Sequence, residues 1–154
     1  MKQATIVYCL KDDQVLLGMK KARFGQGKWN GFGGKVGEGE SVIAAAVREL
    51  KEEAGISMNE SDLSKVAQIA FYFADAPIFE CHVFLARTFS GEPIESEEMR
   101  PQWHSLNALP FAEMWPSDLY WLPAVLAGHT LKATCTFDAE GKIVERFEAE
   151  RSSF

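Results

Sequence analysis

The sequence predicts an α/β or α+β domain, a mixed sheet covered by two helices. Three observations point to it. Apolar runs of strand length and composition occur at both ends and in the middle of the chain. Only two stretches combine helical spacing with start and stop signals. All of these elements fit within 154 residues, with no repeats, low-complexity tracts or linkers, so one domain with a real core holds them.

Taken in order, residues 5–10 and 15–19 read as two strands, with Lys11-Asp12-Asp13-Gln14 as the hairpin turn between them. The first run is too short to cross a membrane, has no cleavage site and ends in charge, so it reads as a strand. Residues 20–28 form a loop containing Gly25 and Gly27. Trp29-Asn30-Gly31-Phe32 reads as a short strand whose aromatics either wall a pocket or pack in the core. A glycine-broken loop then becomes a helix, with Ser41 as N-cap and Gly55 in the left-handed position past its end. Residues 57–62 are loop, 66–73 strand, 74–77 turn and 79–89 a longer strand with Cys81, Val83 and Leu85 on one face. Ser90-Gly91-Glu92-Pro93 breaks that strand. Residues 94–100 are acidic, 103–106 a short strand and 110–115 a short turn or helical segment. A second helix opens near Ser117 or Asp118, passes through Tyr120, Trp121, Val125 and Leu126, tolerates Pro123 only in its first turns, and ends at Gly128. Residues 131–137 and 143–147 close the chain as a hairpin, followed by a frayed end.

A net charge of −6 argues against nucleic-acid polymers and anionic membranes as partners. Charge is unevenly placed, however. From Gln14 through Gly37 there is no acid, while Lys20, Lys21, Arg23, Lys28 and Lys35 all lie there. Such a strip suits a polyphosphate, although any one of these cations is equally read as a solvated loop residue. Cys9, Cys81 and Cys135 are odd in number and widely spaced, with no CxxC pair. They read as reduced core thiols, and the chain as a soluble, cytoplasmic monomer.

The first helix carries the chemistry. Ile43, Ala46, Val47, Leu50 and Ala54 fall on one face and predict burial there. Glu49, Glu52 and Glu53 fall on another, three and four residues apart. A solvated face is the ordinary reading of acids on a helix. These crowd the C-terminal half, where the helix dipole disfavours negative charge. A hard divalent cation relieves that cost, and carboxylate oxygens beside a phosphate ligand are what Mg²⁺ prefers.

Gly34, Glu40, Arg48-Glu49-Leu50, Glu52-Glu53, Gly55 and Ile56 stand at the spacing of a complete Nudix box. The chain therefore resembles the Nudix hydrolases, which cleave nucleoside diphosphates linked to another moiety. That resemblance sharpens the fold to an α/β/α sandwich. It implies Mg²⁺-dependent attack of water on a phosphorus, with Mn²⁺ able to substitute. Residues 16–21, 27–35, 95–101 and Met114-Trp115-Pro116 are similar to the MutT-type branch found in animals, which removes oxidised purine nucleotides. A purine triphosphate such as 8-oxo-dGTP is then the implied substrate, yielding the monophosphate and pyrophosphate.

By the same likeness the Gly33 carbonyl, Glu49, Glu52, Glu53 and Glu98 hold metal and position water, with Glu49 and Glu53 as the main ligands and Glu52 or Glu98 as base. Arg48 pairs with Glu52 and orients the patch, and Glu40 fixes the loop. Thr5, Lys20, Asn30, Phe71, Phe73, Trp115 and Asp118 line the base pocket. Physical sense supports this second group. Aromatics stack on purines, for about 1–3 kcal/mol per base, and Asn30 offers donor and acceptor. A buried Asp118 is expected to hold its proton more tightly, although it could equally cap the second helix. The chain departs from the pattern at Ser117, where the family has a second acid. The loop before Cys81 is also shorter by one residue, with Phe79 where a pocket methionine is expected. Breadth across oxidised guanine and adenine is what Ser117 puts in question. Two other readings are a broader Nudix pyrophosphatase and a non-catalytic, nucleotide-sensing Nudix domain.

Overall fold

The computed structural model describes residues 1–154. Its strands are β1 (Gln3–Lys11), β2 (Gln14–Lys20), β3 (Trp29–Asn30), β4 (Leu63–Phe73), β5 (Ala76–Ala86), β6 (Met99–Ser105), β7 (Leu131–Phe137) and β8 (Val144–Arg151). Its helices are α1 (Val42–Ala54) and α2 (Asp118–Leu126). The sheet order is β3-β2-β1-β5-β4-β7-β8, with β6 paired to β2. β1 runs parallel to β5 and β4 parallel to β7, while β4–β5 and β7–β8 are antiparallel, so the sheet is mixed.

β1 explains the layering. It is apolar almost throughout because both of its faces are covered. Val7 and Cys9 point toward α1, where they meet Leu16, Phe32, Ala46 and Leu50. Tyr8 and Leu10 point the other way, into a larger core with Leu17, Val83, Trp121 and Leu122 under α2. Alternation with period two thus feeds two cores, one on each side of the sheet. The three cysteines are buried and free, as their spacing predicts.

β1 and β2 pair only at Leu10–Val15 and Lys11–Gln14 and then diverge. The segment after β3 enters that fork, bridging Val7 to Phe32 and Ala4 to Lys35. This split opens the sheet where the site lies.

Several boundaries differ from those the sequence predicts. β5 begins at Ala76 and ends at Ala86, so Ala76 and Pro77 belong to the strand and Phe89 does not. The turn is confined to Ala74-Asp75 because Phe73 already pairs with Ala76. β6 starts at Met99 rather than residue 103, since β2 continues to pair along its whole length, Lys20 with Met99. β8 extends to Arg151, held by β7, where fraying was expected. Helix α1 keeps its predicted caps. The Ser41 hydroxyl accepts from the Ala44 N–H at 3.2 Å, and Gly55 sits at φ 73°. Its buried residues are Ala45, Ala46, Leu50, Glu53 and Ala54, while Ile43 and Val47 are only partly covered. The buried face is therefore rotated toward the acids.

Candidate active site

The loop before α1 is built by close approach. The Thr5 N–H donates to the Gly34 carbonyl at 2.9 Å, and the Val36 N–H to Gln3 at 3.0 Å. A β-carbon on Gly33 would stand 1.7 Å from the Thr5 carbonyl oxygen, so only glycine fits there. One on Gly34 would stand 2.7 Å from the Glu49 carboxylate. The Gly33 N–H in turn donates to Glu53 Oε1 at 2.9 Å, fixing a carboxylate that is 4% exposed.

The three helix glutamates sit at graded depth. Glu53 is buried, Glu49 half-buried and Glu52 exposed. Burial first, then repulsion from Glu49 and Glu98, pushes the Glu53 carboxyl up to about 8, against the Gly33 hydrogen bond and Lys20, which lower it. Burial also raises Glu49. A cation among these oxygens would lower both, which is the electrostatic case for a metal here. No three of these side chains already converge as a ligand cage. Instead Glu53 is held by the Gly33 N–H and the others by side-chain cations. Glu98 accepts from Lys20 at 3.3 Å and from Arg23 at 3.0 Å.

Arg48 lies outside the cleft and clamps the acids from behind. Its main partner is Glu40, at 2.7 and 2.9 Å, with Glu49 at 2.9 Å and the predicted Glu52 at 3.3 Å. Glu40 also accepts the Gly37 N–H at 2.9 Å, which ties the loop as its spacing suggests. The Arg48 hydrogen bond, then that from Gly37, holds the Glu40 carboxyl down at about 2.

One cleft of about 920 Å³ runs from these acids to an aromatic end. Thr5, Lys20, Asn30, Phe71, Phe73, Trp115, Asp118, Gly33, Glu49, Glu52, Glu53 and Glu98 all line it; Arg48 alone of the predicted site residues does not. β2 pairing sets Asn30 opposite Gly18. Phe71 and Phe73 come from β4, and Phe137 from β7 lies 5.7 Å from Trp115 between ring centroids. Asp118, at the first turn of α2, is 3% exposed, and its Oδ2 has no hydrogen-bond partner. The Trp121 indole nitrogen nearby is likewise buried and unpartnered. Burial pushes the Asp118 carboxyl up to about 7, partly offset by the dipoles of the Trp121 N–H and the Trp115 backbone. Ser117 opens the helix with helical backbone angles (φ −69°, ψ −23°), and neither it nor Asp118 forms a side-chain cap. Ser117 is 1% exposed and lines the cleft.

Sequence reasoning missed Phe24, Trp121 and Phe137 as lining residues, while Arg23, named in the basic strip, does line the cleft. Phe24 stacks on Trp115 at 5.1 Å and 24°. Its place just before Gly25 and Gly27 was the available signal, since glycines let a loop turn sharply; in the structure Arg23 (φ 68°) and Gly25 (φ 84°) flank it in left-handed backbone. Phe137 and Trp121 look like ordinary core residues in sequence and carried no signal.

An acid wall of graded depth joined to an aromatic pocket suits a phosphorylated, ring-bearing ligand. Comparison with known proteins places the chain more closely. The NUDIX domain pattern matches residues 1–125, and the chain belongs to the Nudix hydrolase family. It is 52% identical over 123 residues to the mouse oxidized purine nucleoside triphosphate hydrolase, covering 79% of this chain and 78% of that protein. The zebrafish protein of the same name is 43% identical over 145 residues, covering 94% and 92%. In fold it is similar to the MutT protein of Bacillus halodurans, with a TM-score of 0.85 and 23% identity over 97% of this chain and 98% of that one. Nudix hydrolases generally need a divalent cation. No helix here is long and apolar enough to cross a membrane.

Proposed function

We propose that the protein hydrolyses oxidised purine nucleoside triphosphates, 8-oxo-dGTP among them, to the monophosphate and pyrophosphate. The carrying observation is the continuity of the cleft. Its volume suits a nucleotide, and one end offers carboxylates while the other offers rings, an amide and a proton-retaining carboxyl. The mouse and zebrafish relatives bear the name of this activity.

Glu53 and Glu49, with Glu52, Glu98 and the Gly33 carbonyl, would hold Mg²⁺, or Mn²⁺ in its place. When bound, the ion supplies neutralisation of polyphosphate charge and activation of the attacking water. Lys20 and Lys35 line the same cleft and would meet phosphate oxygens, while Arg23 stays paired with Glu98. Arg48, pinned by Glu40, keeps Glu49 and Glu52 in register as a positioning residue. Glu52, the exposed member, is free to take the proton from water, with Glu98 as the rival base. At the other end Trp115, Phe71 and Phe73 enclose the base, and Asn30 and Asp118 read its edge. Hydrolysis breaks one phosphorus–oxygen bond, and water supplies the oxygen and the two protons the products share.

The test is kcat/KM for 8-oxo-dGTP against dGTP with Mg²⁺. We expect a clear preference for the oxidised base. A ratio near one would favour the broader pyrophosphatase instead, and binding without turnover would favour the sensing domain.

A further inference from the structure

Tyr8 is fully buried in the middle of β1, yet its hydroxyl is not idle: it donates to Asn30 Oδ1 at 3.1 Å. The same oxygen accepts the Gly31 N–H at 2.8 Å. A backbone N–H can only donate, so the amide atom facing it is the carbonyl oxygen. The Asn30 nitrogen is thereby left as the group that faces the cleft, and it has no partner within the protein. Turning the amide over would set its NH2 against the Gly31 N–H, donor to donor, and would leave the Tyr8 hydroxyl accepting, with its own proton unpaired in a closed region. Gly31 permits the arrangement, because a β-carbon there would meet the Tyr8 ring at 3.0 Å and Ile6 at 2.5 Å. Tyr8 also packs edge-on against Trp121 at 6.1 Å, so one buried ring braces both base-reading elements, β3 and α2.

We propose that Tyr8 is a positioning residue for base recognition. It holds the Asn30 amide with its nitrogen toward the base, and so favours purines that present a keto oxygen there over those that present an amino group. This rests on the reading of the cleft as a purine pocket and deepens it. An amide free to turn accepts either edge; one fixed as a donor meets an exocyclic amino group donor to donor. Ser117 does not restore the lost breadth, because a hydroxyl cannot change charge near neutral pH.

The experiment measures kcat/KM for 8-oxo-dGTP, a 6-keto purine, and 2-hydroxy-dATP, a 6-amino purine, in four proteins: wild type, Tyr8→Phe, Asn30→Ala and the double variant. Tyr8→Phe keeps the ring and removes one hydroxyl. We expect the ratio of the two constants to fall about three- to tenfold, the scale of one net hydrogen bond. In the Asn30→Ala background the same change should leave the ratio where Asn30→Ala alone puts it. An unaltered ratio in Tyr8→Phe, or an equal fall in both backgrounds, overturns the proposal, the second because it marks general loosening. Asn30→Asp offers an independent arm should Tyr8→Phe fold poorly. It keeps an oxygen toward Tyr8 and replaces the donor with an acceptor, so preference should move toward 2-hydroxy-dATP; failure to move overturns the proposal too. A wild type that turns over neither nucleotide overturns the purine-pocket reading and this inference together. Turnover of 8-oxo-dGTP with no Tyr8 effect overturns this inference alone.

Discussion

The two ends of the cleft are made in opposite ways. Apart from Glu98, the acid end comes from one contiguous stretch, residues 33–53, in which loop, cap and helix are local. The aromatic end draws scattered residues from β3, β4, β7, α2, the segment just before α2 and the loop before β3. A local site depends on spacing along the chain, and a helix fixes that spacing. A dispersed site depends on the sheet register that brings Asn30, Phe71 and Phe137 to one place. The acid end should therefore control the chemical step, and the aromatic end affinity and choice of base.

The largest effect should separate them outright. Glu53→Gln removes the most buried acid while keeping a group that can face the Gly33 N–H. We expect kcat to fall by at least about 10²-fold, the scale of losing a positioned acid–base or ligand group, with nucleotide affinity nearly retained. Undiminished turnover with Mg²⁺ would remove Glu53 from the metal site. Next, Trp115→Ala should act in the reverse sense. It should cost about 1–3 kcal/mol of nucleotide binding and appear mainly in KM. A pure kcat loss would show that the ring orders the acid end and not the base.

The difference in construction also decides what the sequence discloses. The spacing of Ser41, Glu49, Glu53 and Gly55 yields cap, face and stop, and the structure has each in place. Even there the reading was incomplete, because the predicted Arg48–Glu52 pair is present but is not the main one. An i,i+4 rule points Arg48 at Glu52, but the loop bends back far enough to bring Glu40 closer. At the aromatic end, Trp115, Asn30 and Asp118 were readable only through family likeness. Tyr8 lies inside an apolar strand run, where core packing is expected, and its hydroxyl matters only because the chain at the end of β3 enters the fork beside β1. Phe137 is equally mute. Strand pairing also moved the start of β6 to Met99, which places Glu98 just ahead of a strand and within reach of Lys20 and Arg23.

The third prediction uses pH. With its proton affinity raised by burial to about 7 from 3.8, native Asp118 binds more protons than the unfolded chain between those values. Stability from this group is fully present below pH 3.8, declines as pH rises, and is gone above about 7. The slope is at most about 1.4 kcal/mol per pH unit. Glu53 is shifted in the same direction, so wild type and Asp118→Asn must be compared as a difference. Denaturant unfolding at pH 5, 6, 7 and 8 should show wild type losing stability relative to Asp118→Asn up to pH 7 and then running parallel to it. Parallel curves throughout would mean that Asp118 is ionised when folded, and acts only as an acceptor toward the base.

The smallest effect concerns the loop that joins the two ends. Arg23 sits at φ 68°, a backbone region that costs a non-glycine residue about 1 kcal/mol or more. Its side chain is 79% exposed, so the ion pair with Glu98 is worth about 0–1 kcal/mol. Arg23→Gly relieves the strain, loses the pair and adds freedom to the unfolded chain, about 0.5–1 kcal/mol against it. These contributions nearly cancel, and unfolding free energy should move by less than about 1 kcal/mol. Glu98 would keep Lys20 as its cation, so kcat/KM should change less than in Trp115→Ala. A loss as large as that of Trp115→Ala, at unchanged stability, would mean that the guanidinium leaves Glu98 to hold the substrate's phosphates. The basic loop would then be a third working part of the cleft, one whose cation is stored on an acid until the nucleotide arrives.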